Sequence, residues 1–262
     1  NGGTLSAIVR GSDGINILES NALSINDVIS QVNTGKAVSV QTVGAAGTSS
    51  ESTETTQSDL VTTNTNGDNG SIVVRTTAGS ITLNEGTATT DLNSDAAVVA
   101  HGSGNILLEA IGAGTDIVAN ANADIQSTTG HITLKAARTI DLKTGVDVVT
   151  TGSGSLDLVA GTGSLTMAPD ATLDTVNGDI RITAGNDVLD QVTIGVITAS
   201  NANVSIKTTG SILDSDTVSA SSDDSTVDIV AVGLRLDAGK GVGVLSGNSL
   251  SQNVNAIETN VG

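Results

Sequence analysis

Hydrophobic and polar residues alternate in a short phrase that recurs along the chain. The phrase has the form Gly-x-Ile/Leu/Val-x-Ile/Leu/Val, and its clearest copies begin at Gly70, Gly104, Gly130, Gly154 and Gly178. Because the period is two residues, every second side chain points to the same side of the backbone. Each copy therefore predicts a β-strand with one buried face.

The first aliphatic residue of each phrase is an anchor for aligning the repeats. Weaker copies extend the alignment to nine anchors: Leu5, Val38, Ile72, Ile106, Ile132, Leu156, Ile180, Val204 and Val227. Three successive units in the second half are 24 residues long, whereas the first three are about ten residues longer. The residue two positions after the anchor is apolar in every unit, and the residue four positions after it is small. The inner positions are thus predicted to form continuous columns.

Each unit contains two further short runs with turn residues between them. In the unit that begins at Gly130 these runs are residues 139–142 and 146–149. Three strands per 24 residues predict an all-β fold, a parallel β-helix (solenoid) of about nine coils, with residues 1–262 as one repeat domain and longer coils near both ends. An antiparallel sandwich or barrel is the structural alternative.

A polar tract, residues 43–70, interrupts the first half of the chain. It is rich in Ser, Thr, Asn, Asp and Gly, and only Leu60 and Val61 briefly return to a strand-like pattern. This composition predicts a solvated insertion loop that leaves the coil. The alternative is a lip that faces a ligand, since loops on a rigid scaffold often carry function.

Composition narrows the possible functions. The chain has 10 Lys and Arg against 28 Asp and Glu, a net charge of −18, and it has no aromatic residue and no cysteine. An acidic surface without rings argues against nucleic-acid binding. No apolar run approaches the ~20 residues of a membrane helix, so membrane insertion is not expected. The absence of cysteine excludes disulfides and thiolate nucleophiles.

Two outward charge pairs are the first candidates for chemistry. Stacking of coils makes Asp157 a neighbour of Arg181, and Glu109 a neighbour of Lys135. A polysaccharide-processing β-helix enzyme would need paired carboxylates, or a base with metal ligands, on one face. Nothing else converges on these residues, so we expect a surface charge ladder and no catalytic residues.

The two histidines are the next candidates. A Ser–His–Asp arrangement can be drawn from Ser155, His131 and Asp179, but His131 and Asp179 are two coils apart, which is about 9.6 Å along the axis. A hydrogen-bonded triad needs shorter distances. We expect these residues, and His101, to be exposed polar side chains.

The acidic turn formed by Asp214, Asp216, Asp223 and Asp224 is a weak calcium candidate. Calcium prefers several carboxylate oxygens, but the sequence lacks the complete spacing of known calcium loops. No metal or other cofactor is otherwise expected. Scattered threonine pairs raise ice binding as a further alternative, but no regular threonine column is visible.

Phrases such as residues 178–187 and 201–212 resemble the stacked repeats of very large bacterial surface exoproteins, including filamentous-haemagglutinin-type adhesins and giant β-strand-repeat proteins. The resemblance covers essentially the whole chain, although its motif is short. It implies a right-handed parallel β-helix, exported to the cell surface, that serves as a stalk, fibre or adhesin and has no catalytic residues. The exposed edges of the end coils predict head-to-tail self-association or pairing with flanking repeats of a longer chain.

Overall fold

A computed structural model describes residues 2–28, 39–53, 56–63, 70–86, 96–216, 226–244 and 256–262. In these ranges the chain forms β-strands and turns and contains no helix. The strands belong to sheets of eight, fifteen and two strands. All pairs within the two large sheets are parallel, as the repeat predicts.

The eight-stranded sheet, called sheet I, takes one three-residue strand from each repeat. In spatial order its strands are β1 (Gly3–Leu5), β4 (Leu23–Ile25), β9 (Ile81–Leu83), β12 (Ile117–Ala119), β15 (Ile140–Leu142), β18 (Leu165–Met167), β21 (Val192–Ile194) and β23 (Ile212–Asp214). Each strand is hydrogen-bonded to the equivalent strand of the neighbouring repeat, so the sheet grows by one strand per repeat.

The fifteen-stranded sheet consists of two columns, which two long strands join. Column II contains β2 (Ala7–Val9), β7 (Leu60–Thr62), β10 (Val98–Ala100), β13 (Ile125–Ser127), β16 (Asp147–Thr150), β19 (Thr172–Thr175), the first parts of β22 (Val196–Thr208) and β24 (Ile229–Ala238), and β25 (Thr259–Val261). Column III contains β3 (Ile15–Glu19), β8 (Ile72–Thr76), β11 (Ile106–Ala110), β14 (Ile132–Ala136), β17 (Leu156–Ala160), β20 (Ile180–Ala184) and the second parts of β22 and β24.

One aliphatic core lies between sheet I and the two columns. Within one repeat, Ile132 of column III, Ile140 of sheet I and Val148 of column II are all fully buried in the same cluster. Residues between them along each strand face outward. Parallel strands around a shared core are consistent with a β-helix or solenoid, and they do not fit an antiparallel sandwich.

The anchor alignment is correct through the middle of the chain. Ile72, Ile106, Ile132, Leu156, Ile180 and Val204 are successive partners in column III. The small residues four positions later, for example Ala136 and Ala160, are also partners and are buried.

Close backbone contact explains the glycine of the repeated phrase. A Cβ atom built on Gly130 would lie 2.1 Å from the carbonyl oxygen of Gly104, and one on Gly154 would lie 1.9 Å from that of Gly130. The same contact recurs at Gly178, at 1.7 Å from Gly154. Any side chain there would collide with the neighbouring strand, so these glycines mark the corner that leads into column III.

Among the anchors that the structure describes, two are assigned to the wrong strand. Leu5 lies in β1 of sheet I, and the strand that aligns with Ile72 is β3, which begins at Ile15. Val227 precedes β24, where Leu234 is the residue that pairs with Val204. Val38 lies outside the described residues, and the strand that follows it is not in a large sheet. Alternation is equally strong in all three columns, so periodicity alone cannot tell them apart.

The polar insertion has more structure than its composition predicts. Strands β5 (Ser39–Val43) and β6 (Ser49–Thr53) form an antiparallel hairpin, whereas β7 confirms the return to strand at Leu60 and Val61. The outward side chains of Val61 and Val99 are buried against Ala96 and Ile8 in a small second cluster. Ala96, which lies just before β10, therefore packs against the outside of column II.

Candidate functional site

The predicted outward charge ladder is present on column III. Glu109 accepts a hydrogen bond from Arg75 at 2.7 Å and another from Lys135 at 2.9 Å, one on each neighbouring strand. The Lys135 ammonium and the Arg75 guanidinium hold the pKa of Glu109 below its usual range, although partial burial opposes them. Glu109 is thus a bridge between three strands, and its charge is already compensated.

Asp157 and Arg181 are also neighbours, as predicted. Two hydrogen bonds, of 2.8 and 2.6 Å, join the guanidinium to the two carboxylate oxygens. A shallow open groove beside them is lined by Ser155, Asp179, Asn203 and Ser205. Because Arg181 donates hydrogen bonds to both oxygens of Asp157, this carboxylate is engaged in an ion pair and is not placed as a proton donor.

His131 contacts Ser155 but not a third catalytic partner. Its Nδ1 lies 2.8 Å from the Ser155 Oγ and accepts the Ser155 backbone N–H at 3.1 Å. Asp179 instead accepts hydrogen bonds from the backbone and side chain of Asn203, on the far side of Ser155. Both His131 and Asp179 are exposed. These side chains satisfy backbone amides at the corner of the stack, and a triad is not formed.

His101 also hydrogen-bonds the backbone of a neighbouring strand, but as a donor, and it is half-buried rather than exposed as expected. Its Nδ1 lies 2.6 Å from the carbonyl oxygen of Thr62, on the neighbouring strand of column II. The ring therefore donates a hydrogen bond to the backbone, which fixes its orientation.

Asp116 anchors a polar network beside sheet I. It accepts hydrogen bonds from Arg138 at 2.8 and 2.5 Å and from the Thr139 hydroxyl at 2.6 Å. The Arg138 guanidinium is the main reason that the pKa of Asp116 falls to about 2, against the opposing effect of burial. The network joins two neighbouring repeats and leaves no free base for catalysis.

The best candidate for a cation site lies at the predicted acidic turn, but it shares only Asp214 with the predicted set of residues. Carboxylate oxygens of Asp214, Asp228 and Glu258 lie within 4.8 Å of one another. Asp216 donates its backbone N–H to Asp214 at 2.8 Å, and Asp223 and Asp224 lie outside the described residues. Convergent carboxylates are the ligands that Ca²⁺ prefers, but such groups are also common without an ion.

The register of column II explains how this cluster forms. Ile229 pairs with Thr259, so Asp228 and Glu258, the residues before them, lie side by side. Glu258 donates its backbone N–H to Asp228 at 2.9 Å, and Asp214 ends the nearby strand β23. Sequence reasoning missed Asp228 and Glu258 because 30 residues separate them; the correct alignment of β24 with β25 would have identified them.

A regular threonine surface is not present on sheet I. The outward residues from β1 to β23 are Thr4, Ser24, Thr82, Val118, Asp141, Thr166, Thr193 and Leu213. Val118 and the ion-paired Asp141 interrupt the column. Ice binding would need a regular column of threonine side chains, and on sheet I this column is interrupted in the middle.

Comparison with known proteins identifies no relative of this chain. No family model, no curated protein and no solved structure matches the chain. Within the described residues there is also no helix of the length and hydropathy needed to cross a membrane.

Proposed function

We propose that the chain is a non-enzymatic structural segment of an extracellular adhesin, surface fibre or filament. In this proposal it is a right-handed parallel β-helix of about nine coils, located at the bacterial cell surface. The observation that carries the proposal is the continuous parallel pairing of strands in sheet I and in columns II and III, around one main aliphatic core. A solenoid of this kind transmits force along its axis because each repeat is bonded to the next.

The use of the outward polar residues supports a structural role over an enzymatic one. Glu109 and Asp157 are each ion-paired to neighbouring strands, and His131 and Asp179 accept backbone hydrogen bonds from the next strand. These residue types could serve catalysis, but their contacts instead fasten the repeats to one another. A polysaccharide-processing enzyme would need a carboxylic acid free to give up a proton.

The partner in this proposal is a further β-helical coil, either from a second copy or from flanking repeats. Strand β25 pairs with β24 on one side, and its three residues are exposed. Gly262 donates its N–H to Ala231, so the N–H of Val261, one residue earlier, points to the opposite edge. Such an edge invites pairing with another parallel strand.

Electron microscopy of the purified chain tests the proposal. We expect end-to-end filaments for the natural sequence and shorter particles for Val261→Pro, since proline removes the N–H at this edge. Thr198→Val, an outward change on a strand of column II that is paired on both sides, is the control and should leave filament length unchanged. Depolymerisation of a polysaccharide by the purified chain, with loss of that activity in Asp157→Asn, would contradict the proposal.

A further inference from the structure

Three basic residues surround Ser205 on the outward side of column III. Ser205 pairs with Arg181 on one neighbouring strand and with Arg235 on the other. The two arginines are therefore about 9.6 Å apart, with the Ser205 hydroxyl between them. Lys207 is the next outward residue on the strand of Ser205, about 6.6 Å along it. We call Arg181, Lys207 and Arg235 the cation group.

The charge of the cation group is only partly compensated. Arg181 is ion-paired with Asp157, and Arg235 is ion-paired with Asp237. Lys207 is exposed and has no ion pair with a described residue. Three positive charges against two negative ones leave a net charge of +1, in a chain whose total is −18.

The two arginines also keep donor atoms that their ion pairs do not use. Arg181 binds Asp157 through Nε and Nη2, so its Nη1 makes no bond to a described residue. Arg235 binds Asp237 through Nη2 at 2.6 Å, and its Nη1 lies 3.4 Å from the Ser205 Oγ, which is a long contact. Donors from both neighbouring strands can therefore reach an acceptor placed at Ser205.

The groove beside Asp157 extends to the cation group, because Arg181 and Ser205 are part of its lining. Its volume is about 410 Å³, which lies within the roughly 300–1,000 Å³ of small-molecule sites. At its other end, Asn203 uses its backbone and side-chain N–H groups on a single oxygen of Asp179, Oδ1. The Oδ2 of Asp179 makes no bond to a described residue and can accept a hydrogen bond from a hydroxyl group.

We propose that this groove binds a small hydroxylated anion, such as a sugar acid. The acidic group of the ligand lies at Ser205 among the cation group, because charged N–H donors form strong hydrogen bonds to oxyanions. The hydroxylated body lies along the groove and donates to Asp179. The remaining surface is strongly acidic and repels anions, so the ligand is favoured here over other parts of the chain.

The geometry sets the expected strength of binding. The groove is open, and two of the three cations remain paired with carboxylates, so binding should be weak and should decrease as the salt concentration rises. The site lies within one chain and does not require end-to-end stacking. Failure of ligand binding would therefore leave the proposed filament role standing, and the reverse also holds.

Nuclear magnetic resonance titration with three ligands tests the two halves of the site. Glucuronate carries both the acidic group and the hydroxylated body, whereas glucose lacks the acid and acetate lacks the body. We expect glucuronate to bind on the order of tenfold more tightly than either, with shift changes on β17, β20 and β22. Equal affinity for glucuronate and glucose would overturn the role of the cation group. Equal affinity for glucuronate and acetate would overturn the role of the groove.

Substitutions then locate the site. Lys207→Gln should reduce the affinity for glucuronate to about that for glucose. Lys135→Gln is its matched control, since it removes the same charge from the same outward row, three strands away in column III, and should leave binding unchanged. Ser205→Leu, which fills the end of the groove, should abolish binding of both glucuronate and glucose.

Circular dichroism melts establish that each variant is folded before affinities are compared. Equal losses in Lys207→Gln and Lys135→Gln would show a general charge effect and overturn the proposal. Unchanged binding in Ser205→Leu would place the ligand elsewhere on the chain and would also overturn it.

Discussion

Replacement of Gly154 by alanine tests the close corner contact that the repeated glycines make possible. The new Cβ would lie 1.9 Å from the Gly130 carbonyl oxygen, and 2.6 Å from the Thr150 hydroxyl. Real Cβ atoms essentially never approach another heavy atom closer than 3.0 Å, so the strands must separate by about 1 Å at this corner. Neither partner is the flexible end of a long side chain, so the backbone itself must move.

Overpacking in a dense interior costs about 1–3 kcal/mol. We expect a loss near the top of this range, about 3 kcal/mol, because the displaced group is backbone that also holds the hydrogen-bond register of column III. Urea unfolding monitored by circular dichroism measures the loss. Gly241→Ala is the matched control: nothing lies within 4 Å of the position its Cβ would take, and neither glycine has a positive φ. Equal stability of the two variants would refute the proposed contact.

The remaining predictions concern the core, acid stability and activity. Ile180→Asp buries an unpaired carboxylate in the shared core. This costs several kcal/mol and should abolish the cooperative melt. The control is Thr183→Asp, an outward change on the same strand, which should melt within a few degrees of the natural chain. The lowered pKa of Asp116, about 2 instead of 3.8, contributes stability above pH ~4 that disappears as the pH falls towards 2, a difference of about 2 kcal/mol. Urea midpoints between pH 2 and 6 should therefore vary less in Asp116→Asn, and an unchanged pH profile would argue against this assignment. The purified chain should release no reducing ends or unsaturated products from a panel of polysaccharides. If it does release them, and Asp157→Asn abolishes this activity, the expectation is wrong.

The middle of the fold could be predicted from the sequence because several signals agree there. Glycine, two aliphatic residues and a small residue recur with the same internal spacing in the four copies from Ile106 to Ile180, so the strand partners follow directly. The ion pair of Asp157 with Arg181 then follows from the register alone. Each of these predictions uses only contacts between neighbouring repeats of similar length.

The ends of the fold are harder to predict because the local pattern does not identify the column. Leu5 and Val227 lie in or beside strands that alternate as column III does, so the periodicity aligns them with the wrong strands. The alignment does not include Ile15, because Gly14 directly precedes it, whereas the repeated phrase has one residue between the glycine and the anchor. The same error conceals the acidic cluster, since Asp228 and Glu258 become neighbours only when β24 is aligned correctly with β25.

Oriented diffraction from filaments of the purified chain tests the central claim most directly. A stacked parallel β-helix places its strands across the filament axis, with neighbouring strands about 4.8 Å apart along that axis. We therefore predict a strong reflection near 4.8 Å on the meridian of an aligned sample. Two results would contradict a structural segment built by stacking coils. One is a filament with this reflection on the equator. The other is a chain that remains as isolated particles at every concentration, even when flanking repeats are attached.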